Sequence, residues 1–203
     1  MLDAYVPRTS PPAPYFRKLR PFERGAYLGH LRGLSVDDRR LRFHAITSDE
    51  QLEHHAAGID FACTIILGAF VEGVLVGVGE VSFMHPPRET RPEEAEIAVS
   101  VASAVRGRGI GGALTGRALR IARNRGARAV WMFCLPDNTP MQKIARSLDG
   151  QLTLHQGTFD ARMELTRATT LTRIGETFED GVGVARSVSV LVFTSCQPPV
   201  LTP

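Results

Sequence analysis

Val105-Arg-Gly-Arg-Gly-Ile-Gly-Gly-Ala-Leu114 decides how this chain is read. It stands between Ala95–Val101 (AEIAVSV), which has strand character, and Gly109–Arg125, which has helical periodicity. In the latter, Ile110, Leu114, Ala118 and Ile121 form one stripe and Gly126 is the stop. Glycines let a backbone turn so that successive N–H groups point into one concavity. A helix N-terminus adds unpaired N–H groups and a positive partial charge. Together they make a site for phosphate or pyrophosphate, and Arg106 and Arg108 can add charge-assisted hydrogen bonds of ~1.5–3 kcal/mol each. The stretch fits two templates. Arg106, Gly109 and Gly111 spell Arg-x-x-Gly-x-Gly; Gly107, Gly109 and Gly112 spell the dinucleotide fingerprint Gly-x-Gly-x-x-Gly. No Gly-Lys-Ser/Thr follows, which excludes a Walker-type NTPase.

Outward from this point, the order of elements separates the two templates. Upstream, Thr64–Val71 and Val74–Phe83 flank the turn Glu72-Gly73 as a strand hairpin. Tyr15–Phe22 reads as a first strand and Glu23–Leu34 as a helix carrying Tyr27, Leu28, Leu31 and Leu34 on one face. Ser35-Val-Asp-Asp38 and Ser48-Asp-Glu-Gln51 are helix-start patterns. Downstream, the continuous apolar run Ala129–Leu135 predicts a strand buried on both faces. Pro140–Leu148 predicts a short helix with Met141, Ile144, Ala145 and Leu148 inward, and Gly150–Gln156 with Thr158–Leu165 a closing hairpin. A dinucleotide fold needs its glycine turn tight after the first strand and several βαβ units beyond. Here three strands precede the one that leads into the glycines, a five-residue bridge (Ala102–Arg106) intervenes, and one strand–helix unit follows. Asp137, near the end of the next strand, keeps an oxidoreductase as the rival reading.

Bulk properties bound the rest. The 203 residues suit one domain, and 43% apolar content is ordinary for a globular protein. A net charge of +3, with Arg far outnumbering Lys, gives no case for a nucleic-acid partner but suits a local anion site. Cys63, Cys134 and Cys196 are odd in number and widely spaced, so neither a disulfide framework nor a metal site is expected, and a reducing cytoplasm is the default. The N-terminal residues carry no secretory pattern. The most apolar stretch, Thr64–Phe83, contains Glu72, Glu80 and four glycines, so no membrane span is expected. Residues 1–14, with four prolines, read as a flexible arm; residues 166–203 read as an extension in which Ser187–Thr194 (SVSVLVFT) forms one more strand.

The glycine loop and the order of elements over residues 16–165 resemble the GNAT superfamily of N-acetyltransferases. Arg106-Gly-Arg-Gly-Ile-Gly111 matches that family's cofactor loop. The resemblance implies an α/β (α+β) fold with a mixed, mostly antiparallel sheet of six to seven strands, about four flanking helices, and a splay between the fourth and fifth strands. It implies acetyl-CoA as co-substrate, its pyrophosphate held by Arg106, Gly107, Arg108, Gly109, Ile110, Gly111 and Gly112. Its pantetheine arm would run along Val99, Ser100 and Val101, and Asn138 would be a second cofactor contact. Leu34-Ser-Val-Asp-Asp-Arg-Arg-Leu-Arg-Phe43 and Ala95-Glu-Ile-Ala-Val99 resemble segments of bacterial protein-lysine acetyltransferases. By that resemblance Glu96 is the general base; the wider family resemblance implies Val101 or a neighbour as the oxyanion donor, and a homodimer as an assembly common in the family.

The chemistry gives such a base a purpose. A lysine-like amine is neutral about once in 2,500 at pH 7, a cost of roughly 4.6 kcal/mol, so a base is useful directly or through water. Strand alternation puts Glu96, Ala98 and Ser100 on one face and Ile97, Val99 and Val101 on the other. The family's usual tyrosine acid position falls on Ala145, which leaves Ser147, a water or no acid at all. That departure also leaves room for a non-catalytic acyl-CoA sensor. Among other residues, His54-His55 reads as surface helix rather than metal ligand, Cys134 as a core thiol, and His85 as a loop histidine. Trp131 and Phe133 read as core, Arg39, Arg40 and Arg42 as a solvated helix face, and Arg117, Arg120, Arg123 and Arg125 as the outer face of the glycine-loop helix.

Overall fold

The structure is a computed structural model and describes residues 12–84 and 94–195. The seven strands are β1 (Tyr15–Lys18), β2 (Thr64–Val71), β3 (Val74–Phe83), β4 (Glu94–Val101), β5 (Ala129–Cys134), β6 (Gln151–His155) and β7 (Thr158–Glu164). They form one sheet in the order β1-β2-β3-β4-β5-β7-β6, in which every pair is antiparallel except β4–β5. The β2–β3 turn is where Glu72-Gly73 predicts it, and both residues have positive φ (50° and 82°). With one parallel pair in seven strands, this is not the repeated βαβ architecture of the dinucleotide rival.

Helices α1 (Arg24–Arg32), α2 (Val36–Phe43) and α3 (Asp49–Gly58) cover one face of the sheet. Both helix-start patterns cap as their chemistry dictates. Ser35 Oγ accepts from the Asp38 amide at 3.2 Å; Ser48 and Gln51 exchange backbone and side-chain bonds as a capping box. Tyr27, Leu31, Leu34 and Leu52 bury against Ile66, Phe70 and Val78 to form this side of the core. The opposite face carries α4 (Ile110–Asn124) and α5 (Thr139–Ser147), whose Ile110, Leu114, Ala118, Ile121, Met141 and Ala145 pack on Leu67, Ala69, Ile97, Val130 and Met132.

Five expectations are corrected. Residues 187–194 are not a strand: they belong to α6 (Thr170–Ser195), which packs on β1 and α4. Asp180 Oδ1 accepts the Lys18 amide of edge strand β1 at 2.8 Å, Ser187 Oγ accepts from Arg17 Nε at 2.7 Å, and Glu176 pairs with Lys18. The α4 arginines are correspondingly not an outer face, since Arg120 pairs with Glu179 at 2.8 Å and Arg117 stacks on Phe16. β5 is buried on one face only. Trp131 and Phe133 are half-buried, stacked on each other, with Trp131 Nε1 donating to Glu94 at 2.8 Å. Arg42 on α2 is no solvated residue; it is buried in a charged cluster described below. The first strand also ends at Lys18 rather than Phe22, because Pro21 opens a 3-10 turn. His85, Cys196 and residues 1–11 lie outside the described residues.

Candidate active site

β4 and β5 pair only at Glu94–Ala129, Ala95–Val130 and Glu96–Trp131. Beyond that point the strands part, and the site is built in the gap. On its other side β4 pairs with β3 throughout, and the Ala102 amide continues that ladder to Val76 O at 2.8 Å. Antiparallel strands alternate the side to which their amides point. Ala102, Ser100 and Ala98 therefore direct theirs at β3, and Val101 and Val99 direct theirs into the gap. The carbonyl of Val101 agrees, since it accepts from Arg106 Nε and Nη2, both at 3.3 Å.

The gap opens into a cleft of about 730 Å3, a volume suited to a cofactor-sized ligand. Two helix N-termini meet there. A 3-10 turn, Ser103–Val105, carries the chain from β4 to the glycines; Gly107 and Gly109 both have φ of 75°, and Gly109 caps α4. Positive φ at alternate residues turns the intervening amides inward, and a side chain at either position would be strained. Gly111 sits close to α5: an added Cβ would come within 3.2 Å of Ile144 Cδ1, which would have to give way. Across the cleft, Asn138, Thr139 and Pro140 open α5, with Asn138 Oδ1 accepting the Met141 amide at 3.2 Å.

The structure thus brings Val99, Ser100, Val101, Arg106, Gly107, Gly109, Ile110, Gly111, Gly112 and Asn138 to one cleft. Arg108 is apart from it and donates to Pro12 O at 2.6 Å. Ser100 Oγ is already engaged by His30 Nε2 at 2.9 Å. Ala145 is buried in the core, and Ser147 donates to Ile144 O outside the cleft, so neither offers an acid there. No tyrosine, histidine or cysteine is among the lining residues described. Cys134 is buried, and burial raises its thiol pKa, as befits a core residue.

Three features of the site were not foreseen. First, α2 roofs the cleft with Asp38, Leu41 and Arg42, joined by Leu34 from the link before it, and Asp38 pairs with Arg106 at 2.6 Å. Burial raises the Asp38 pKa, but the hydrogen bonds from Arg106 and Ser35 outweigh it and hold the carboxyl below its ordinary value. Second, Glu80 on β3 is buried beside the cleft. It accepts from Tyr27 Oη at 2.7 Å, pairs with Arg42, and lies 3.6 Å from His55 Nε2. Burial opposes its charge, yet Arg42, His55 and Tyr27 bring its pKa to about 2. His55, about a third exposed at 34%, thus reaches from the helix surface into this network, while His54 stays on the exposed face. Third, Lys143 on α5 lines the cleft. Glu80 had a signal in the sequence: a carboxylate inside the apolar run Val74–Phe83 must find a cation.

Glu96, the expected base, is exposed, on the last β4 residue paired with β5. It shares a face with Ser100 and acts electrostatically on Arg42, whose charge burial disfavours and Glu80 chiefly restores.

Residues 26–149 match the family model described as the acetyltransferase (GNAT) family. The chain belongs to the GNAT acetyltransferase family. No curated protein matches it. Among solved structures, it is similar to the GNAT domain of PAT from S. lividans, at 22% identity and TM-score 0.62 over 74% of this chain and 89% of that one. A Salmonella typhimurium protein solved with its cofactor acetyl-CoA gives 14% and 0.57 over 78% and 97%. The ribosomal-protein-alanine N-acetyltransferase from Brucella melitensis gives 18% and 0.55 over 74% and 99%. At these identities the likeness is one of fold. Family membership makes this GNAT protein an acyl-CoA-dependent N-acetyltransferase with acetyl-CoA as co-substrate. Its cleft fits that group, with inward amides and Arg106 for a pyrophosphate and an open strand edge for a pantetheine arm. No metal-holding cluster of His, Cys, Asp or Glu occurs among the described residues, and no described helix is long and apolar enough to cross a membrane.

Proposed function

We propose that the enzyme acetylates a lysine side chain by direct attack of the amine on bound acetyl-CoA, with Glu96 as general base. The observation that carries this reading is the position of Glu96 at the vertex where β4 and β5 part, next to the outward amides of Val99 and Val101. Acetyl-CoA supplies the activated acyl group. The amides of Gly107–Gly112 and the Arg106 guanidinium hold phosphate, and β4 accepts an extended arm as an added strand. The Val99 and Val101 amides are donors for charge on a carbonyl oxygen. Glu96 takes a proton from the substrate ammonium, directly or through water, and so frees the amine that attacks the thioester carbonyl; as the C–S bond breaks, the second nitrogen proton passes to the departing thiolate or to solvent. A thiolate leaves without a protein acid, consistent with a lining that offers no tyrosine among the described residues. Exposed Glu94 and Glu96 favour a cationic acceptor over a neutral one. Residues 15–165 form the catalytic domain, with the following residues as its cover; the setting is cytoplasmic, and a homodimer is its assembly.

Steady-state kinetics with acetyl-CoA and lysine-containing peptides tests the roles separately. Glu96→Gln lowers kcat by on the order of 100-fold and leaves acetyl-CoA affinity nearly intact. Gly112→Glu, whose Cβ meets nothing within 4 Å, brings a carboxylate to the cleft and abolishes acetyl-CoA binding without unfolding the protein. Unchanged turnover in Glu96→Gln removes that residue from the mechanism; turnover of small amines alone removes the lysine acceptor.

A further inference from the structure

A second cleft, of about 680 Å3, lies away from the catalytic one, between the C-terminal end of α4 and the first turns of α6. Six cations line it: Lys18, Arg123, Arg125, Arg128, Arg167 and Arg173. The one carboxylate in its wall, Glu176, is already shared between Lys18 and Arg125 (3.2 Å to the latter). Arg123, Arg128, Arg167 and Arg173 have no carboxylate within 4.0 Å among the described residues. The Nε of Arg123 is buried with no hydrogen-bond partner.

Ordinary helix electrostatics accounts for part of this charge. Arg123 and Arg125 stand at the end of α4, where cations are favoured. It does not account for the rest. Arg173 is in the first turn of α6 and Arg167 just before it, where the helix N-terminus already carries positive partial charge and no acidic residue offsets it. Arg128, on the link to β5, adds to the same wall. The cleft is nevertheless built with order: Asn124 donates to Glu176 at 2.7 Å and to Thr172 O at 3.0 Å, and accepts from the Thr172 hydroxyl at 2.8 Å. Like charges gathered on a fixed frame, four of them without a carboxylate partner among the described residues, are what an anion would complete.

We propose that this cleft binds a small polyphosphate anion. Guanidinium forks match phosphate oxygens two at a time, four unneutralised arginines call for several negative charges, and the volume suits a ligand up to nucleotide size.

Calorimetric titration of the full chain with sodium tripolyphosphate, and in parallel with ATP, tests it. The expected result is one micromolar site for tripolyphosphate, weakened roughly tenfold or more in Arg128→Ala/Arg173→Ala and again in Arg167→Glu. These side chains are on exposed residues, so the fold tolerates their loss. Binding persists in Gly112→Glu, which separates this cleft from the catalytic one whether or not the acetyl-CoA reading holds. Tighter binding of ATP than of tripolyphosphate extends the ligand to a nucleotide and supports the proposal. It is overturned by absence of binding, by binding unaffected in the arginine variants but lost in Gly112→Glu, or by affinity for duplex DNA with none for tripolyphosphate.

Discussion

Arg106 has two anionic claimants: Asp38, 2.6 Å away, and the phosphate that its place beside the glycine loop suits it to hold. Asp38 sits in the cleft wall, so it competes for the guanidinium and repels the ligand. Asp38→Asn removes both effects while keeping the shape, and tightens acetyl-CoA about threefold to tenfold, or about 0.7–1.4 kcal/mol; weaker binding by calorimetry would mean instead that Asp38 orients Arg106 productively. The legibility of the site follows the same line between local and distant. Gly107 and Gly109 act through the backbone they belong to, and Arg106 stands beside them, so their pattern could be read directly. Asp38 and Arg42 act through partners far along the chain: Arg42 meets Glu80 at a separation of 38 residues. A run of arginines on a short helix looks solvated until its partner is located.

At the scale of elements, α2 and α3 were readable because serine caps mark their starts, and β2 to β4, α1, α4 and α5 because their apolar residues mark their buried faces. In α6 they do not. Leu171, Ile174 and Phe178 are exposed, while Glu176 and Gly183 are buried. Ser187–Thr194 alternates like a strand and is rich in β-branched residues, which favours the wrong reading. What fixes the helix is polar and tertiary: Glu176, Asp180, Gly183 and Ser187 recur at helical spacing and meet β1. Gly183 permits the contact, since a Cβ there would overlap Phe16 O and approach Arg17 Cβ to 2.8 Å. Gly183→Ala therefore destabilises by about 1–3 kcal/mol despite its better helix propensity. Gly181→Ala, with nothing within 4 Å of the new Cβ, stabilises by up to about 1 kcal/mol. Urea unfolding of the two variants measures both signs; equal shifts would show that α6 does not depend on close approach to β1.

For the molecule as a whole, two buried groups tie stability to pH. Burial lowers the His30 pKa to about 4, against an ordinary 6.5. The unfolded chain thus takes up a proton between these values while the folded chain does not. Stability is full above pH 6.5 and falls as pH drops toward 4. From about pH 7.5 to about pH 5 the loss amounts to about 2 kcal/mol. Glu80, with its pKa at about 2 instead of 4.5, adds a separate loss below 4.5. Denaturant melts of the wild type and of His30→Asn give the measurement. The variant loses the slope above pH 5 and keeps the steeper fall below; an unchanged slope would assign it to another group.

The attachment of α6 to β1 also bears on how the protein is made. Lys18 leaves the ribosome 158 residues before Glu176, and Arg17 leaves 170 before Ser187. At ~5–20 residues per second that is a delay of roughly ten to thirty seconds. Over that interval β1 can pair with β2, yet the Lys18 amide and the Arg17 side chain still lack the acceptors that α6 brings. The earliest of the described strands is finished last, and until then a nascent sheet edge is available to any other strand that meets it.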